Sequence, residues 1–124
     1  MTTMEMQVEK AHRRAVDANV EEVVDSLQTL LSRRLVAYIA GVKDAKTVSR
    51  WVSGEVEPRD EAAKRLRHAY QIALLLEEFD SPRIVKAWFI GLNPHLADVA
   101  PAEAIHDGRS TEALAAARAF IVGG

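Results

Sequence analysis

The chain has 124 residues, a formal net charge of −2, 48% hydrophobic residues and no cysteine. Disulfides, thiolate metal sites and cysteine nucleophiles are thereby excluded, and the apolar content is enough for one domain, or two small ones sharing a core, to fold without staples. The longest strongly apolar run, Ile72 to Leu76, is far short of the roughly 18 residues of a bilayer span, and Met1 to Gln7 has no signal-peptide pattern. The expectation is a soluble cytoplasmic protein with no membrane partner.

No run alternates apolar and polar residues, so the fold is expected to be all-α. Met6 to Ala18 forms a polar leading helix or arm, residues 1–18, whose thin stripe of Val8, Ala11, Ala15 and Ala18 suits a partner or a second subunit. Asn19 with Glu22 three residues on makes a capping box. Val20, Val23, Val24, Leu27, Leu30 and Leu31 then follow at helical spacing and belong in the core. Ser32 caps a helix Arg33 to Ala40, which adds Leu35, Val36, Ile39 and Ala40 before Gly41 stops it. A further helix runs from about Ala45 to Ser53, with Gly54 behind it.

Asp60 is the expected N-cap of a long helix to about Phe79, carrying Ala63, Leu66, Ala69, Tyr70, Ala73, Leu74, Leu76 and Phe79 on its apolar side. Ser81-Pro82 opens the next, with Ser as cap and Pro in the first turn, and packs Ile84, Val85, Trp88 and Phe89 before Gly91. Asn93-Pro94 repeats the device for a single turn through Leu96. Pro101 to His106 is a short helix ended by Gly108, and Ser110 or Thr111 starts the last, from Glu112 to about Ile121.

The helix at 45–53 has the composition of a DNA reader. Val48, Trp51 and Val52 make one apolar stripe, and Lys43, Lys46, Thr47, Ser49, Arg50 and Ser53 fill the opposite side. Arginine bridges guanine O6 and N7, serine and threonine meet either kind of base edge, and lysine takes phosphates. Arg33 and Arg34, at the start of the preceding helix, and Arg59 behind Pro58 add cations within reach of a backbone. Residues 33–68 hold nine basic and five acidic groups, against two and four in residues 87–124. The basic excess therefore sits on the reader, where it can displace counterions although the whole chain is acidic. A merely solvated charged face is the alternative reading of that charge. Trp51, sharing its stripe with Val48, is expected in the core rather than stacked on a base.

Arg33 to Gly41 and the run Thr47-Val48-Ser49-Arg50-Trp51-Val52-Ser53-Gly54 with Pro58 resemble the helix-turn-helix of Xre/Cro-type regulators. Ala37 and Gly41 stand four apart as that family's small residues do, while the turn among Val42 to Ala45 is one residue longer than its pattern. Ala87-Trp88-Phe89-Ile90-Gly91-Leu92-Asn93-Pro94-His95-Leu96, then Ala100-Pro101 to Gly108, then an Ala-rich helix closing in Gly123-Gly124, is similar to the toxin-binding domain of Xre/MbcA/ParS antitoxins. The two motifs in this order cover nearly everything after residue 19.

The resemblance implies a helix-turn-helix domain over 19–80, a toxin-binding domain over 81–124, and a cognate RES-domain toxin that consumes NAD. It further implies that the antitoxin occludes the toxin's active-site cleft and represses its own operon. Trp88, Asn93, Pro94, Phe120, Ile121, Val122, Gly123 and Gly124 are the toxin-binding set it points to. From the residues themselves, Trp88 reads as a core residue of the short helices, Asn93 as a cap, and Phe120 as equally suited to a partner or its own domain. A helix-turn-helix reader binds operator DNA as a dimer on two half-sites, so a homodimer is expected. No cofactor and no catalysis are expected: His12, His68, His95 and His106 are dispersed with no metal-pair spacing, and no glycine-rich phosphate loop occurs. The alternatives are a stand-alone Xre-like transcriptional regulator without a toxin, and an interaction module keeping the helix-turn-helix only as a scaffold.

Overall fold

The computed structural model describes residues 2–123. Among them are eight α-helices, one 3-10 turn and no strand, as an all-α fold requires. The helices are α1 (Thr3–Asp17), α2 (Val20–Leu30), α3 (Arg33–Ala40), α4 (Lys46–Ser53), α5 (Asp60–Glu77), α6 (Pro82–Ile90), α7 (Pro101–His106) and α8 (Ser110–Ile121), with the 3-10 turn at Pro94–Leu96.

Helix starts are set by short polar side chains that satisfy otherwise unpaired first-turn N–H groups. Asn19 Oδ1 accepts from the Glu22 N–H at 2.8 Å, Ser32 Oγ from Leu35 at 3.1 Å and Ser81 Oγ from Ile84 at 3.4 Å. Thr2 does the same for Glu5 at 3.1 Å, so α1 begins earlier than its apolar stripe suggests. Asp60 is the first helical residue of α5 rather than its cap; Arg59 holds the cap position in extended backbone after Pro58. Asp60 and Glu61 instead act as first-turn anions facing the positive end of the helix dipole. Ser110 likewise lies inside α8, which therefore starts before Glu112.

α5 is the axis of the molecule. It packs against α1, α2, α3, α6, α7 and α8, and buries residues almost all round, from Leu66 and Ala69 to Ile72, Ala73, Leu75 and Leu76. A helix apolar on most sides must be enclosed, and each fully buried leucine or isoleucine contributes about 1.5–3 kcal/mol relative to exposure. Leu75, outside the expected stripe, is wholly buried because neighbours stand on that side too. Ala11 and Ala15 seat α1 on α5, so the leading segment is part of the body. Arg67 locks it there: its Nη1 donates to the carbonyls of Ala15 at 2.8 Å and Ala18 at 2.7 Å, at the α1 C-terminus.

One hydrophobic core runs from Ala15 to Ala117. α7 packs on α3 and α8 on α5, so the two sequence halves share their interior. Phe79 and Ile84, both expected to pack, are exposed. α5 ends at Glu77 and leaves Phe79 in the link, while Val85, Trp88 and Phe89 occupy the inward side of α6 and turn Ile84 outward.

Candidate functional site

Helix α4 is held by the turn before it and by its buried face. The lengthened turn after Gly41 is closed by Asp44, whose Oδ1 accepts from the Lys46 N–H at 2.9 Å and whose carbonyl accepts from Thr47 at 3.0 Å. Gly41 itself sits at φ +86, and a Cβ there would lie 3.2 Å from Arg65 Nη1. Only glycine fits this left-handed corner without strain. Val48 and Trp51 are buried and anchor α4 from below, so Trp51 is a core residue.

Lys46, Arg50 and Ser53, at i, i+4 and i+7, form an exposed row, with Thr47 and Ser49 half-buried on its two flanks. Arg33 lies against this row and its Nη1 donates to Ser49 Oγ at 2.9 Å, which ties the start of α3 to the middle of α4. Arg50 stands 3.6 Å from Glu55, an exposed pair that constrains it little. The Ser53 hydroxyl donates to the Arg50 carbonyl at 3.0 Å. Thr47, on one flank of the row, and Arg59 line a cleft of ≈ 460 Å³ that also carries Arg65, Glu57 and Glu61. Arg34 and Lys43 line a different cleft, of ≈ 510 Å³, between α3 and α7. The nine candidate DNA contacts thus divide into a central row with Arg33 and two flanking clefts.

The cleft beside α7 brings in two residues that sequence reasoning did not place there. His106 stacks on Tyr38 with ring centroids 4.4 Å apart and planes 8° from parallel, and His106 Nδ1 lies 2.6 Å from the Tyr38 carbonyl. Burial, and then the carboxylates of Glu103 and Asp107, push the Tyr38 phenol above its ordinary value. Tyr38 follows Arg34 by four residues and so shares its side of α3, a signal readable in the sequence; its meeting with His106 is not.

At the other end, Asn93 organises the loop after α6. Its Oδ1 accepts from the His95 N–H at 2.9 Å, its N–H donates to the Val99 carbonyl at 3.1 Å, and its own carbonyl accepts from Leu96 and Asp98, each at 2.9 Å. These bonds hold Ala97 and Asp98 in left-handed backbone at φ 57 and 63, a conformation costing non-glycine residues about 1 kcal/mol or more each. Trp88 is 8% exposed and packs edge-to-face on Phe89; its indole N–H is buried without a hydrogen-bond partner. Asn93 and Trp88 are therefore built into the fold.

Pro94 and Phe120 line a cleft of ≈ 250 Å³ together with Ala87, Gly91 and Leu92, and Trp88 and Asn93 form part of its wall. Leu92 is 76% exposed, Phe120 39% and Val122 73%, with Ile84 and Ile90 also exposed on α6. Ile121 is half-buried against the core, Gly123 is exposed, and Gly124 lies outside the described residues. Nothing in the sequence marks Leu92 as a surface residue, and Ile84 is expected to pack, because their positions in an apolar run predict burial. Among the described residues no group of three metal-ligating side chains gathers, and no helix is long and apolar enough to cross a membrane. Compared with known proteins, the chain matches no protein-family model, no curated protein and no solved structure.

Proposed function

We propose that the chain is a DNA-binding antitoxin of the cytoplasm, with an operator-reading face on α4 and a toxin-docking surface where α6 meets the end of α8. The observation that carries the reading is the pairing of two unlike surfaces on one core. Lys46, Arg50 and Ser53 form a polar, basic row on a short helix anchored by Trp51, while Leu92, Phe120 and Val122 expose large apolar side chains around a cleft at residues 87–94 and 116–120. The first suits a major groove, with Arg33 beside it for a phosphate. The second is an unpaired apolar surface of the kind that marks a protein partner.

The sequence resemblance names that partner as a RES-domain enzyme that consumes NAD. In this reading the segment from Phe120 to Gly123 covers the toxin's active-site cleft, and neutralisation is occlusion with no chemistry by this chain. The antitoxin acts as a homodimer that represses its own operon. The test is co-expression with a RES-type protein from a neighbouring reading frame, scored for growth and for NAD. Rescue of both, together with co-purification, is the expected result; continued NAD loss in the presence of soluble antitoxin overturns it. A stand-alone regulator remains the second reading, favoured by the intact reading face, and it predicts operator binding without any toxin complex.

A further inference from the structure

The cleft between α3 and α7 differs from its neighbours in charge. Its charged or titratable lining residues, Arg34, Tyr38, Lys43 and His106, include no carboxylate, whereas the cleft beside Arg59 includes Glu57 and Glu61, and the groove along α1 sets Asp17 and Glu22 among Lys10, Arg13 and Arg14. It also adjoins the reading face, since Lys43 and Ala45 belong to the turn that leads into α4. We propose that this cleft binds a phosphate of the operator backbone flanking the major-groove site, and that His106, from the C-terminal half, joins Arg34 and Lys43 in holding it in the protonated form. The inference rests on the DNA-reading role of α4.

The geometry sets the proton requirement. A backbone carbonyl only accepts, so His106 Nδ1, 2.6 Å from the Tyr38 oxygen, carries a hydrogen. That leaves Nε2 for a ligand. In the neutral ring Nε2 is a lone pair that repels a phosphate oxygen; in the imidazolium it is a charge-assisted donor. The Tyr38 ring, stacked parallel, holds the imidazole plane in place and its π face favours the cation.

The charges around His106 oppose one another. Arg34 and Lys43 line the same cleft, while the carboxylates of Glu103 and Asp107, on and just after α7, act on the Tyr38 phenol beside it. A phosphodiester brings one negative charge into a cleft whose two fixed cations, Arg34 and Lys43, it offsets only in part, and its oxygen accepts from Nε2 only when that nitrogen carries a proton. DNA binding then takes up a proton at His106.

The test is binding of the full chain to a fluorescent duplex carrying the DNA upstream of its own coding region, at fixed salt, between pH 8 and pH 6. The parent should tighten over this range by roughly three- to tenfold more than His106→Gln, since one unit of displaced titration is a factor of ten in affinity. Comparison with the variant removes the share of His12, His68 and His95. Arg34→Gln and Lys43→Gln should each lower the slope of log affinity against log salt by about one or less. NMR titration of His106 in the parent, with and without DNA, should show its proton retained to higher pH when bound, and needs no variant to fold.

Equal pH dependence in parent and His106→Gln, or an unmoved His106 titration, overturns the inference while leaving the reading of α4 intact. Loss of all DNA binding at low salt overturns both. A third arm adds inorganic phosphate alone: if it shifts His106 as DNA does but DNA binding shows no pH difference between parent and variant, the cleft takes a small anion and the operator assignment fails.

Discussion

Arg67→Met isolates the clamp that joins the first helix to the axis of the fold. The substitution keeps an apolar stem of similar length and removes the guanidinium that donates at 2.8 Å to Ala15 and at 2.7 Å to Ala18. A hydrogen bond from a charged group contributes about 1.5–3 kcal/mol when buried, and a cation at a helix C-terminus about 0.3–1 kcal/mol. These carbonyls are only partly buried and regain some solvation in the variant, so the expected loss is about 2–4 kcal/mol. Besides this clamp α1 is held by its packing along α5, where Ala11 and Ala15 are its buried residues. The loss should therefore appear as local undocking. Urea denaturation reads the magnitude, thermal unfolding reads it as roughly 3–5 °C of Tm per kcal/mol for a chain this size, and hydrogen exchange reads the place. Amides of α1 should lose protection while those of α5 keep theirs. A stability change below about 0.5 kcal/mol, or α1 amides as protected as in the parent, refutes the clamp.

Lys46→Ala and Arg50→Ala should each weaken operator binding by about 1–3 kcal/mol if they contact bases, and unchanged affinity in both places the reading face elsewhere. Leu92→Asp and Phe120→Asp should abolish co-purification with the toxin yet leave Tm within a few degrees, because both side chains are exposed; retained complex with either variant would remove this surface from the interface. Gly41→Ala should cost about 1–2 kcal/mol from its positive φ and the crowding of Arg65, and chemical denaturation measures it. Burial, followed by Lys64 and His12, holds His68 below the ordinary histidine value. A group depressed in this way favours the fold above its unfolded value and loses that share as pH falls through it toward the lower folded value. His68→Gln should accordingly flatten the stability curve between about pH 7 and pH 5, and a slope identical to the parent's contradicts the assignment.

Helix α4 was largely legible because its apolar stripe and its stop lie within one turn or two of each other. Val48 and Trp51 are buried, Lys46, Arg50 and Ser53 are exposed, and Gly54 ends the helix in left-handed backbone, all from spacing alone. The exposed apolar surface around Leu92 and Phe120 was legible only in part. Phe120 and Val122 stood out near the end of the last helix, whereas Leu92 and Ile84 look like core residues in any periodic reading and are exposed because Val85, Trp88, Phe89 and Leu96 fill the interior first.

What the sequence alone determined is which short polar side chains open the helices that Asn19, Ser32 and Ser81 precede, and the turn after Asn93. Asn19, Ser32, Ser81 and Asn93 reach N–H groups two or three residues away, and such bonds need no distant partner. Only tertiary structure decided which surfaces meet. Arg67 finds Ala15 across 52 positions and His106 finds Tyr38 across 68, so neither contact leaves a periodic trace. The same holds for the single core: helix caps are local chemistry, but whether two segments share an interior depends on which faces α5 has left to cover once every helix is in place.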